Sequence, residues 1–514
     1  MDLLLDVNIV VDLCTPRMPW YGQAKAAVDK CKAQGGIVWL YAGSVQTFEY
    51  VLQKALIENE ASRQQLLSLR AASCMARRIL FDFCEDKQWL AALAGEGDVF
   101  GADDPEDQQL IRALDRFKAD TIKLLTRDVG LRQRCPAAIT PEEYLSADTG
   151  IRSIDFIDLK SQQNIIRPGL EAMIHRVIHH GRYIMGPEVK QLEEKLAAYT
   201  EVPHCITCAS GTDALLMALM ALDIGPCDEV ITVPYTWIST AEVISLLRAR
   251  PVFVDVRPDT FNLDPEKLEA AITPNTKAIM PVGLYGQCAD MTGINAIAER
   301  HGIPVIEDAA QCFGATHHGQ KACALSLIGC TSFFPSKPLG GYGDGGAVFT
   351  PDPELAERLR QIRIHGQKVK HQHPLVGING RLDTLQAAIL LEKFTLFEEE
   401  CALRAEVGRR YDALLATVPG IRPPVIAAGN TSVYAQYTIL SADRDGLSQK
   451  LKAAGIPSVA YYTAPLHLQG AFADLGHKPG DFPVSEQIAA ECLSLPMSPY
   501  LTEEEQQSVA KAMK

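Results

Sequence analysis

The chain has 514 residues, 47% of them hydrophobic and 22% charged, with mean hydropathy near zero. That is too long for one ordinary domain and has the balance of a soluble globular protein, so two or three domains are expected. The formal net charge of −14 disfavours nonspecific nucleic-acid binding by the whole protein, and residues 1–150, with 17 Lys and Arg against 22 Asp and Glu, are no basic arm.

In chain order, the opening Met1-Asp2-Leu3-Leu4-Leu5-Asp6 lacks the basic region of a secretory signal. No apolar run reaches membrane-spanning length, so a cytoplasmic protein with no membrane partner is expected. Residues 3–7, 36–41 and 121–126 read as strands, with helical patterns between them such as 45–58 and 107–118. This alternation predicts a small α/β sandwich on a parallel sheet over residues 1–145. The polar stretch Ser146-Ala147-Asp148-Thr149-Gly150 reads as the start of a linker, 146–153. From Ile154 a larger α/β domain is predicted, to residue 411. It has strands at 229–233, 251–256, 278–282 and 304–307 and helices that include 211–222 and 291–301. Residues 412–514 read as a small α+β lobe. Fourteen cysteines without dense spacing predict reduced thiols, and Cys205-x-x-Cys208, lacking a second pair of ligands, reads as packing.

The chemistry centres on Ser332-Phe333-Phe334-Pro335-Ser336-Lys337-Pro338-Leu339-Gly340-Gly341-Tyr342-Gly343. A lysine in a small, largely uncharged setting can lose its proton and form a Schiff base with an aldehyde cofactor. Upstream, Asp308 ends an apolar strand, where a pyridinium nitrogen needs an acid partner. Lys337 and Asp308 together point to pyridoxal phosphate, with both residues catalytic. Ser210-Gly211-Thr212-Asp213 opens a helix after a strand, a position suited either to a phosphate or to an ordinary N-cap. Trp237 in Pro234-Tyr235-Thr236-Trp237 suits stacking on the cofactor ring or a place in the core.

From about Ile154 to the C-terminus these motifs resemble the fold-type I pyridoxal-phosphate aminotransferases, and specifically the DegT/StrS sugar-nucleotide family. The stretches Ile154-Asp155-Phe156-Ile157-Asp158-Leu159 and Leu284-Tyr285-Gly286-Gln287-Cys288-Ala289-Asp290 resemble the group that aminates UDP-linked 3-keto uronic acids in bacterial surface-polysaccharide synthesis. The resemblance implies that Gly211, Thr212 and Ser332 hold the cofactor phosphate, Trp237 covers its ring, and Gln311 bonds its phenolic oxygen. It implies that Asn379 reaches the phosphate of a neighbouring subunit, making a homodimer with shared sites, although a loop-capping Asn is the alternative. Gly181, Tyr183, Ser336 and Arg381 match substrate-contacting positions, and His365 matches either a substrate contact or a structural residue. L-glutamate and a nucleotide-linked keto-sugar are the implied substrates, with Lys337 as the base and acid that moves the proton. Where the family usually carries His-Tyr-Pro, this chain has Tyr461-Tyr462-Thr463, which leaves the sugar open.

The first segment resembles a PIN domain of the VapC toxin-ribonuclease type. Its acids Asp6, Glu49, Asp107 (or its neighbours Asp104 and Glu106) and Asp128 match that family's short elements. Four converging carboxylates would repel without Mg²⁺ or Mn²⁺, and such ions activate water for phosphodiester cleavage. The resemblance therefore implies a metal site and RNA as a partner; a retained interaction or regulatory module is the other reading.

Overall fold

The computed structural model describes residues 154–514 and, before them, residues 2–5, 26–27, 30, 38–41, 89–90, 122–125 and 138–139. The chain divides into two compact units, Met1–Ser153 and Ile154–Lys514.

The described part of the first unit is a five-stranded sheet. Strands β1 (Asp2–Leu5), β2 (Val38–Tyr41), β3 (Trp89–Leu90), β4 (Ile122–Leu125) and β5 (Ala138–Ile139) lie in the order β3-β2-β1-β4-β5. Every pairing is parallel, with Leu3 opposite Val38 and Leu5 opposite Leu125. A parallel sheet is what the alternating pattern predicts for this segment. Asp6, Glu49, Asp107 and Asp128, and the linker 146–153, lie outside the described residues.

The second unit is built on strands β6 (His204–Cys208), β7 (Glu229–Thr232), β8 (Arg250–Phe253), β9 (Thr276–Ile279) and β10 (Ile306–Asp308). A hairpin of β11 (Thr316–His317) and β12 (Gln320–Lys321) follows, then β13 (Ile328–Ser332) and β14 (Gly346–Thr350). Two sheets, β8-β7-β9 and β10-β13-β14-β6, are joined by parallel bridges Ile279–Val305 and Val282–Asp308. Only β14 runs against its neighbours in this mixed sheet.

Both faces of the sheet are covered, and alternate residues enter opposite cores as a period of two requires. Ile231, Ile279, Ala347 and Phe349 enter one cluster; Val230, Ala278 and Val348 enter the other. Cys205 and Cys208 fall into different clusters, so they serve packing on opposite faces, and the cysteines of the described residues are all free.

The flanking helices include α1 (Lys160–His180), α2 (Pro187–Thr200), α3 (Gly211–Ala221), α4 (Ser239–Leu246), α5 (Met291–His301), α6 (Pro353–Ile362) and α7 (Thr384–Lys393). The long α1 has no counterpart in the sequence reading, since its exposed Ile165 and Ile178 blur the apolar stripe. The next helix, α8 (Phe397–Leu415), runs unbroken through residues 411 and 412. Phe397 belongs to the main core, while Val407, Tyr411 and Leu415 belong to the core of the terminal lobe, so one helix ties the two together. That lobe has an antiparallel sheet of β15 (Ile421–Arg422), β16 (Tyr437–Ser441) and β17 (Cys492–Leu495). No helix among the described residues is long and apolar enough to cross a membrane.

Candidate active site

The site forms where several chain turns meet at the ends of the central strands, the usual location in an open α/β sheet. Ser210, after β6, caps α3 by accepting a hydrogen bond from the Asp213 N–H (3.0 Å). The first helical residue must be glycine for steric reasons: a β-carbon on Gly211 would lie 2.6 Å from Cβ of Ser332, at the end of β13. Gly211 and Ser332 are therefore in contact, beside free N–H groups of a helix N-terminus. The Thr212 and Ser239 hydroxyls share a 2.8 Å hydrogen bond, and Ser239 donates to Glu242 (3.0 Å). Ser239 spends its proton on Glu242, so Thr212 is the donor of that pair.

Asp308 ends β10 and is 5% exposed. Burial pushes its carboxyl above the usual range, while the Thr240 hydroxyl (2.8 Å), the Ala310 N–H (3.2 Å) and the Lys337 charge oppose that shift. Burial lowers the Lys337 amine below its ordinary value, against the attraction of Asp308. A buried acid and a partly buried lysine within its electrostatic reach are thus each biased toward the neutral form.

Gln311 lies three residues beyond Asp308. Its Oε1 accepts from the Tyr285 N–H (2.9 Å), and its Nε2 donates to the Tyr462 hydroxyl (3.1 Å). One N–H of the amide remains for another acceptor. The Tyr461-Tyr462 segment is held by Tyr235, whose hydroxyl donates to the Tyr461 carbonyl (2.9 Å) and accepts from the Tyr462 N–H (3.1 Å). The Tyr285 hydroxyl also bonds the Tyr461 carbonyl. Trp237 is 57% exposed, with its ring 5.9 Å from that of Tyr462, which puts it at the rim and not in the core.

The remaining sequence-predicted residues form a more exposed strip. Gly181 ends α1, and the Tyr183 carbonyl accepts from the Thr384 N–H (3.0 Å), three residues after Arg381. Arg381 is partly buried, and its Nε has no hydrogen-bond partner among the described residues. Ile364 bridges Asn379, so His365 and Asn379 lie on neighbouring strands of chain, both exposed. Arg363, two residues before His365, is buried against Glu193 and the Thr207 carbonyl, a structural pairing that ties α2 to β6. Ser336 is half-buried beside Lys337.

Sequence reasoning missed Thr240, Ser239 and the Tyr235–Tyr285 pair. Thr240 was the most accessible of these: a hydroxyl in the first turn of a helix after Trp237 is placed to reach a neighbouring strand end. Among the described residues no group of His, Cys, Asp and Glu could hold a metal ion.

The residues fit pyridoxal phosphate on structural grounds: a glycine-floored helix N-terminus beside Ser332, a buried Asp308 with two supporting donors, and a Lys337 amine that burial lowers below its ordinary value. The profile of the DegT/DnrJ/EryC1/StrS aminotransferase family matches residues 165–514. A UDP-2-acetamido-2-deoxy-3-oxo-D-glucuronate aminotransferase of Pseudomonas aeruginosa is 57% identical over 348 residues, 68% of this chain and 96% of that protein. A DegT DnrJ EryC1 StrS aminotransferase from Brucella abortus superposes with TM-score 0.68 at 48% identity, over 70% of this chain and 98% of that one. The S. venezuelae DesV structure in complex with a ketimine intermediate gives TM-score 0.69 at 41% identity, over 70% of this chain and 97% of that one. The chain belongs to the DegT/DnrJ/EryC1/StrS aminotransferase family and is a pyridoxal-phosphate-dependent sugar aminotransferase.

Proposed function

We propose that the chain moves an amino group from L-glutamate to the 3-keto carbon of a UDP-linked uronic acid, in the cytoplasm, for surface-polysaccharide synthesis. The observation that carries the reaction type is Lys337 within electrostatic reach of the buried Asp308, together with the Gly211–Ser332 contact. The P. aeruginosa relative, which spans nearly its whole length on this chain, supports the sugar.

The cofactor, when bound, supplies an electron sink that makes the α-proton of an amino acid removable. The residues around it do the rest. Asp308 holds a proton at the ring nitrogen, with Thr240 and the Ala310 N–H supporting its ionised form. The α3 N-terminus, Gly211, Thr212 and Ser332 hold the phosphate. Gln311 offers its remaining N–H to the phenolic oxygen, and Trp237 covers one ring face. The Lys337 amine, lowered by burial, takes the proton from the substrate carbon and returns it one atom away. Arg381 offers a fork suited to a carboxylate or diphosphate, with Gly181, Tyr183, Ser336, His365, Tyr461 and Tyr462 around the sugar. The exposure of Asn379 accords with a role at the phosphate of a second copy, which would make the working unit a homodimer.

Glutamate-dependent amination across a small panel of UDP- and dTDP-ketosugars tests this. Turnover of the UDP-3-keto uronic acid above the others is expected; turnover of none, with cofactor loaded, would overturn it.

A second reading concerns residues 1–145 as a PIN-like metal-dependent ribonuclease module. The parallel order β3-β2-β1-β4-β5 supports it, because the chain reverses direction across the sheet at β1 and β4. In sequence Asp6 directly follows β1, and Asp128 comes three residues after β4. Mg²⁺- or Mn²⁺-dependent RNA cleavage, abolished by Asp6→Asn, is the expected result; metal-independent or absent cleavage over a broad RNA panel would count against it.

A further inference from the structure

Lys337 rides on a loop, residues 333–345, whose return limb lies on one face of α7. The Phe333 N–H donates to the Gly345 carbonyl, and the Gly341 N–H to the Phe333 carbonyl, both at 2.7 Å. The Tyr342 N–H leaves the loop and donates to Oε1 of Gln386 on α7 (2.9 Å). A β-carbon on Gly341 or Gly343 would press on that same amide at 2.9 and 2.8 Å, so the two glycines let Gln386 seat between them.

Seven residues along, two turns and hence on the same face, Lys393 ends α7. Its Nζ lies 4.9 Å from the centre of the Tyr342 ring, and the residue is only 2% exposed. Burying an ammonium is costly unless something answers the charge. Among the described residues no carboxylate lies within ion-pair distance of Lys393. Burial lowers its amine to about 8; Glu400 attracts the charge from further away and Arg404 opposes it, while Glu400 is itself engaged by Gln162 and the Tyr500 hydroxyl. The Tyr342 ring is the group the ammonium directly faces, a cation–π contact in a desolvated setting.

We propose that Lys393 is a positioning residue for Lys337: with Gln386 it fixes the 341–343 limb through Tyr342 and so sets where the Lys337 amine stands relative to Asp308. Its consequence for cofactor chemistry rests on the function proposed above; the effect on the loop does not.

The test is hydrogen exchange on the full chain without cofactor, following peptides that cover 333–345. In Lys393→Met and in Tyr342→Leu the Gly341 and Tyr342 amides should exchange about tenfold faster, as expected when a contact of roughly 1.4 kcal/mol is lost. Lys393→Arg and Tyr342→Phe, which keep a cation and a ring, should stay near the parent. The cofactor-loaded proteins are then titrated by visible absorbance against pH, where Lys393→Met should move the midpoint and Lys393→Arg should not. Unchanged exchange in both Lys393→Met and Tyr342→Leu would overturn the proposal, as would an unmoved absorbance midpoint in a coloured Lys393→Met protein. Should Lys393→Met not fold, Tyr342→Leu decides alone, since Tyr342 is 37% exposed and tolerates truncation. Altered exchange in a chain that takes up no cofactor would uphold the loop role and refute the proposed function.

Discussion

The two halves of the candidate site differ in how they are made. Asp308 and Gln311 are buried and hydrogen-bonded to Thr240, Tyr285 and Tyr462, each from a different strand end or turn of the same chain, with the partly buried Lys337 within electrostatic reach of Asp308. The strip of Tyr183, Arg381, His365 and Asn379 is largely exposed, and its bonds to the rest of the protein are backbone pairings. Such a difference separates reaction type from specificity. Buried, hydrogen-bonded side chains such as Asp308 and Gln311 are held to one geometry, while exposed side chains on a pinned backbone await a substrate or a second chain to order them.

The largest effect is expected at the buried end of the site. Lys337→Ala should abolish transamination, with a loss at or beyond the roughly 10²- to 10⁴-fold range of general acid–base catalysis, measured as glutamate-dependent turnover. If the exposed strip serves binding, Arg381→Met should act differently. It should raise KM for the sugar nucleotide about ten- to a hundredfold, the effect of losing one charged hydrogen-bonded contact of roughly 1.4 to 2.7 kcal/mol, and leave kcat within a few fold. An equal fall in kcat would place Arg381 with the chemistry instead.

A third test uses Glu307, next to Asp308 but facing away from it into the loop of Cys323 and Leu325. Burial pushes its carboxyl up to about 8, against hydrogen bonds from the Cys323 and Leu325 N–H groups. The unfolded chain releases this proton near 4.5, the ordinary value for a glutamate, whereas the folded chain keeps it to about 8. Unfolding therefore releases a proton between these values, and stability from this group falls as pH rises through that window. Glu307→Gln should flatten the decline of Tm between pH 5 and about 8; a parallel decline in both proteins would contradict it. The smallest effect is expected at Asp255, which caps α10 (Pro483–Glu491) by accepting from the Val484 and Ser485 N–H groups (3.1 and 3.0 Å) (α9 being Arg444–Ala453). Asp255→Ala should cost about 1 to 2 kcal/mol in denaturant unfolding, as for other lost caps.

Much of this architecture is legible in the sequence, and the parts that are not share a cause. The strands at 229, 251, 278 and 304 and the helices at 211 and 291 announce themselves by apolar runs and period, because both faces of the sheet are buried. Asp308, Gln311 and Lys337 stand in short motifs whose chemistry is local. Thr240 acts 68 residues from Asp308, Tyr235 reaches 226 residues to Tyr461, and Tyr342 meets Gln386 44 residues on. No spacing encodes those contacts; only the folded sheet brings them together. The α8 helix is a similar case, since its pattern gives no sign that its two ends enter separate cores.

In the proposed function Lys337 is the lysine that carries the cofactor. Loading the purified chain with pyridoxal phosphate, reducing it with borohydride and mapping the labelled peptides measures this directly. A single phosphopyridoxyl label on Lys337 is expected. A label on another lysine, or none on a chain shown to have bound the cofactor, would contradict it.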